Sequence, residues 1–190
     1  MTPSALTRFL KDERGSIAVE SMLSLPMLIW CFLGTFVFFD SFRAESTNIK
    51  AAYTIGDALS RETGYITPEY MDSLYYLMRF LIATEEDSAL RVTVYSYDAD
   101  EDRYTVRWSE DRGGAGKMTT AELNAARNWL PTMPETEVAI LVQTGVNYAP
   151  AFKVGLDGMT YSEFVVTRPR FASQLCWNSQ DNGDEDTATC

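Results

Sequence analysis

Apolar residues are concentrated at one end of this chain. From Ser21 to Phe39, 19 residues pass without a charge, and Asp40 closes the run. At about 1.5 Å per helical residue, that run extended back to Ser16 crosses a hydrocarbon layer of about 30 Å. The pattern predicts a membrane-spanning helix. Beyond Asp40 the pattern changes without breaking. Phe42, Ile49, Tyr53, Ile55, Gly56 and Leu59 fall near helical spacing, with Arg43, Glu45, Lys50 and Asp57 between them. The helix is therefore expected to continue to Arg61–Gly64, with Gly64 as its C-terminal stop, making a rod of about 70 Å.

Shorter elements follow. Thr67-Pro68-Glu69 combines a capping hydroxyl, a first-turn proline and an acid at the positive helix end. It predicts a helix to about Ala83 that buries Tyr70, Met71, Leu74, Tyr75, Met78 and Leu81, with Glu85-Glu86-Asp87 as a solvated loop. Residues 90–97 (LRVTVYSY) and 103–109 (RYTVRWS) alternate as strands of a hairpin. Gly113-Gly114-Ala115-Gly116 reads as a flexible loop, without the ending of a phosphate-binding loop. Thr119-x-x-Glu122 forms a capping box for a helix to Leu130, stopped by Pro131 and Pro134. Glu137 to Tyr148 is the most apolar stretch outside the first helix and predicts a central strand. Thr160 to Thr167 predicts a last one. The expected fold class is α+β: a long N-terminal transmembrane-to-periplasmic helix packed on a small antiparallel sheet with additional helices.

Composition narrows the function. Hydrophobic residues at 46% and charged residues at 23% are ordinary for a globular chain. The net charge of −11 is carried by the part after Phe39, where 13 basic residues face 24 acidic ones. Such a surface repels phosphates, so no nucleic-acid partner is expected. The absence of histidine removes Ser-His and Cys-His nucleophile pairs and the commonest zinc ligand. No enzyme, metal or cofactor is expected. The hairpin turn Asp98-Ala99-Asp100-Glu101-Asp102 has the opening spacing of a calcium loop. Arg103 and Ser109 stand where that loop needs glycine and glutamate, so a plain acidic turn is the expectation. Of the three cysteines, Cys31 lies in the apolar run. Cys176 and Cys190 bracket an acidic tail, residues 176–190, and are either a disulfide in an oxidising compartment or two unpaired tail thiols. Arg168 and Arg170 are candidates to neutralise acids of the head.

Glu20 is the residue that does not suit a simple anchor. A carboxylate at the edge of a spanning helix either snorkels to the interface or meets a partner charge. The segment Gly15-Ser16-Ile17-Ala18-Val19-Glu20, behind Lys11-Asp12-Glu13-Arg14, resembles the processing site of type IV pilins and pseudopilins. With RGSIAVES followed four residues later by Pro26, and with Arg168-Pro169-Arg170, the chain is similar to the TadE/TadG-like proteins of tight-adherence (Flp-type) pilus systems. The resemblance implies that prepilin peptidase cuts between Gly15 and Ser16. It also implies that Glu20, then fifth in the mature chain, pairs with the N-terminal amine of a neighbouring subunit. Two departures matter. Major Flp pilins are very short and carry Glu-Tyr, whereas this chain is long and has Glu20-Ser21; and it would begin with Ser16 where type IV pilins often begin with Phe.

The resulting expectation has four parts. Residues 1–15 are a cytoplasmic leader to be cleaved off, held inside by Arg8, Lys11 and Arg14. Residues 16–39 span the bacterial inner membrane, 40–175 form a periplasmic or extracellular head, and 176–190 form a flexible acidic tail. The expected role is a minor pilin or pseudopilin supporting fibre assembly and surface attachment. Its expected partners are the inner membrane, prepilin peptidase, other pilins and the assembly machinery. The competing expectation is an unprocessed, single-pass periplasmic scaffold or binding module.

Overall fold

The computed structural model describes residues 16–83, 86–180 and 185–190. The leader, residue 85 of the acidic loop and residues 181–184 of the tail lie outside the described residues. The chain divides into two compact units. One comprises residues 16–41 and Pro150–Asp157 among those described; the other comprises Phe42–Ala149 and Gly158–Cys190.

The first helix, α1, runs Ser16–Arg61 and carries Pro26 inside it. In the first unit most of its apolar side chains are bare: Ile17, Met22, Leu23, Leu28, Trp30 and Phe32 are exposed, while Val37 is buried. Phe36 meets Phe152 edge-on, with ring centres 6.2 Å apart. This is a helix long and apolar enough to cross a membrane.

In the second unit the same helix buries small residues. Asn48, Ala51, Ala52, Ile55, Leu59 and Ser60 are wholly buried. Gly56 sits so close to the sheet that a Cβ there would lie 3.7 Å from Thr167, 3.8 Å from Val165 and 4.0 Å from Val142. The expected stripe was partly on the wrong side. Ile55, Gly56 and Leu59 face the sheet, but Phe42 and Tyr53 are 64% and 62% exposed. Bulky rings at those positions are directed outward, and alanine and glycine allow the close approach of helix to sheet. Gly64 is not the stop expected for it, because its φ is not left-handed. Instead the Glu62 carboxylate accepts hydrogen bonds from the Thr63 and Gly64 amides, both at 3.1 Å, and turns the chain.

Helix α2 (Pro68–Ile82) starts where its cap predicts, with the Thr67 hydroxyl accepting from the Tyr70 amide. It buries Met71, Leu74 and Met78, with Tyr70, Tyr75 and Leu81 partly covered. Four strands follow, β1 (Ser88–Asp98), β2 (Arg103–Arg112), β3 (Val138–Tyr148) and β4 (Met159–Thr167), in the antiparallel order β2-β1-β3-β4. The two central strands are therefore β1 and β3. Helix α3 is only Thr120–Ala125; its capping box is formed, but a 3₁₀ turn at Arg127–Trp129 replaces the rest of the helix expected to Leu130.

Both faces of the sheet are covered. Leu90, Val92, Val94, Ile140 and Val142 pack with α1 and α2, while Tyr95, Tyr104, Ala139 and Leu141 pack with Met118, Leu123, Leu130 and Met133. Strand β2 serves both sides through a bulge. Val94 pairs with Trp108 and Tyr95 with Val106, leaving Arg107 as the extra residue. The bulge reverses the alternation, so Trp108 joins the helix side while Val106 and Tyr104 face the opposite cluster. The outer edge of β2 is sealed by α3. The Tyr104 amide donates to Asn124 Oδ1 at 3.0 Å, and the Val106 amide to Thr120 Oγ1 at 3.2 Å.

Candidate functional site

The residues expected to act together fall into two groups. Ser16 is the first residue of α1, and Gly15 before it lies outside the described residues. Glu20 follows one helical turn later, exposed, and makes no ion pair with any described residue. The exposed apolar side chains of the first unit begin on either side of it. A bare carboxylate therefore stands at the start of a bare apolar helix.

The second group is the C-terminal clasp. Cys176 and Cys190 are joined by a disulfide. Between them β5 (Trp177–Asn178) pairs antiparallel with β6 (Ala188–Thr189). The Ile66 amide donates to the Cys176 carbonyl at 2.8 Å, and the Asn178 amide donates to the Ile66 carbonyl at 2.9 Å. Trp108 Nε1 donates to the Leu175 carbonyl at 2.7 Å, and its ring lies 5.9 Å from that of Trp177. Asn178 is fully buried. Trp177 and Asn178, at the start of the tail, are thus part of the head's core, and the disulfide and the β5–β6 pairing tie the exposed C-terminal end to them. Nothing in the local sequence announces this, because two-residue strands have no periodicity to read; the tryptophan beside Cys176 was the available signal.

The hairpin turn behaves as a turn. Asp98 Oδ1 accepts from the amides of Asp100 and Glu101, both at 3.1 Å. Asp102, at φ 47°, accepts from Arg127 at 2.6 Å and from the Tyr97 hydroxyl at 2.5 Å. Arg127, and then Tyr97, hold the Asp102 carboxyl below the usual carboxylate range. These carboxylates are engaged with the turn and with α3's flank. The Arg-Pro-Arg segment ties the end of β4 to the loop before β3 and to α1. Arg168 pairs with Glu137 at 2.7 Å, Arg170 pairs with Asp57 at 3.2 Å, and the Arg170 amide donates to the Ser60 carbonyl at 2.8 Å.

Among the described residues, no three acidic, cysteine or histidine side chains gather as a metal cluster. One polar feature of the helix–sheet interface went unnoticed in the sequence: Asn48 on α1 is wholly buried and donates to the Tyr161 carbonyl at 3.4 Å. The signal was a polar residue one turn before Ala51 and Ala52 on the face that packs. No family model matches this chain, and neither a curated protein nor a solved structure matches it.

Proposed function

We propose that this chain is a minor pilin or pseudopilin, similar to the TadE/TadG-like proteins, anchored in the inner membrane by the first part of α1 and processed between Gly15 and Ser16. The observation that carries the reading is Glu20, an exposed carboxylate four residues after Ser16 at the head of a bare apolar helix. In hydrocarbon such a charge is costly unless a cation answers it. The amine of a processed neighbour supplies one, and the penalty for leaving either charge unpaired fixes the register of the two helices. A helix that its own head covers only in its second half suits a subunit whose first half is enclosed by lipid and then by copies in a fibre. Phe42 and Tyr53 extend the uncovered apolar surface beyond the lipid. The disulfide fits a periplasmic head, since such bonds persist in oxidising compartments.

The test is the mature N-terminus. Mass spectrometry of the protein from cells with an active prepilin peptidase should find Ser16 as the first residue; an intact leader through Gly15 refutes the proposal. Glu20→Ala should still insert in the membrane but fail to assemble, whereas a membrane-held scaffold would tolerate the change.

A further inference from the structure

The loop that joins β3 to β4, Pro150–Asp157, belongs to the same compact unit as the first part of α1. Its sequence is Pro-Ala-Phe-Lys-Val-Gly-Leu-Asp, apolar but for Lys153 and Asp157, whose charges cancel. A neutral, apolar segment thus interrupts the part of the chain that carries the acidic charge. The Val154 amide donates to the Phe152 carbonyl at 3.1 Å, a three-residue turn, and Gly155 follows at φ 100°; together they bend the loop at its tip. Among the described residues, no other amide of the loop has a backbone partner. Phe152 meets Phe36 edge-on at 6.2 Å, and both rings remain nearly half exposed. Lys153 is exposed, while Val154 and Leu156 are partly covered.

Phe36 fixes the height of this loop along α1. It stands four residues before Asp40, which ends the uncharged run, and so lies about 6 Å inside that end. Amphipathic helices that rest on a bilayer bury their apolar face to a similar depth, about 5–10 Å into the boundary of headgroups and acyl chains. Aromatic rings favour that boundary, and a lysine can lay its stem there while its ammonium stays with the phosphates. The loop's unpartnered backbone groups set the limit of descent, because such groups do not enter hydrocarbon. The side chains can dip while the backbone stays among headgroups. An acidic head repels anionic lipid, and a neutral stretch with one lysine is the part of it that a lipid surface accepts.

We propose that the Pro150–Asp157 loop is a second membrane contact, with Phe152, Val154 and Leu156 set into the lipid boundary at the Asp40 end of the span and Lys153 at its phosphates. The proposal rests on the reading that the first part of α1 crosses a membrane, and it uses neither leader processing nor fibre assembly. A single helix is one point of attachment. The loop adds another, and the two together restrict how the head can tilt over the lipid.

The full chain, one per nanodisc of phosphatidylcholine and phosphatidylglycerol, tests this with Cys31 replaced by serine, the Cys176–Cys190 disulfide kept and one fluorescent label at a time. Labels are placed through Lys153→Cys in the loop, Leu28→Cys in the uncharged run and Ala99→Cys in the β1–β2 turn. That turn lies at the opposite end of the sheet from the last β3–β4 pair, Tyr148 with Met159. All three positions are exposed, so the head's Tm should not change. The Lys153→Cys label should lose most of its emission to lipids carrying a nitroxide near the headgroup and little to lipids carrying it at the chain end, and should be shielded from iodide. The Leu28→Cys label should show the reverse preference between the lipids, and the Ala99→Cys label should respond to iodide alone. Phe152→Ser should lower the shallow quenching of the loop label; unchanged quenching would overturn the role of the ring. If neither lipid quenches the Leu28→Cys label, the membrane reading fails and the proposal with it. If that label is quenched while the loop label responds only to iodide, the loop lies in water and the proposal alone is overturned. A loop label that responds to neither iodide nor lipid is covered by protein, which overturns it equally.

Discussion

The two parts of α1 use opposite rules for the same backbone. Before Ser41, the helix turns Leu, Ile, Trp and Phe outward and covers little of itself. After it, the helix turns Ala51, Ala52 and Gly56 inward and Phe42 and Tyr53 outward. In water, the first arrangement leaves a large apolar surface unburied, which monomeric soluble proteins rarely do. The second arrangement places small residues where a helix must come close to a sheet. The difference teaches that apolar content alone does not say which side of a helix is the inside. Side-chain size at the contact decides it.

One substitution made in both parts gives the largest contrast. Ala52→Asp should unfold the second unit, since an unpaired charge buried at a 0% exposed site costs several kcal/mol. Leu28→Asp, at an exposed position, should leave the head's Tm unchanged but cost about 3 kcal/mol of membrane insertion. Thermal melts and membrane fractionation of both variants separate the outcomes. Equal loss of head stability would mean the two parts are not distinct.

The clasp gives an intermediate effect. Replacing Cys176 and Cys190 together by serine should cost the head about 3 kcal/mol, because the closed loop has a sequence separation of 14. Cys31→Ser, in the exposed part of α1, should not move the same unfolding curve. The smallest effect tests the close approach itself. Gly56→Ala places its new methyl at ordinary contact distance, so the gain in helix propensity, about 1 kcal/mol, should survive. Gly34→Ala meets nothing within 4 Å and should leave the head's denaturant midpoint unchanged.

Much of the fold is readable one element at a time. The uncharged run, the Thr67-Pro68 start and the Thr119–Glu122 box act within a few residues, so the sequence carries their whole cause. The strand cores of β1 and β3 are legible because alternation in the one and sustained apolarity in the other are local properties. What could not be read depends on distant partners. The bulge at Arg107 sends Trp108 to the side opposite Val106, although RYTVRW alternates without a break. Phe42 and Tyr53 lose the inward positions to alanine and glycine because of how near the sheet comes. Trp177 and Asn178 enter the core because Ile66 pairs with them from over a hundred residues away. Of the candidate site, Glu20 was plain as a charge out of place, whereas the burial of Asn48 against Tyr161 depends on a partner 113 residues away.

The closed margin of β2 has a consequence for life in a crowd. An open strand edge presents unpaired amides that another chain can extend, which is how ordered aggregates grow. Thr120 and Asn124 already occupy the amides of Val106 and Tyr104. Heads that meet along that part of β2 therefore find those two amides already taken, and the strand cannot be extended through them.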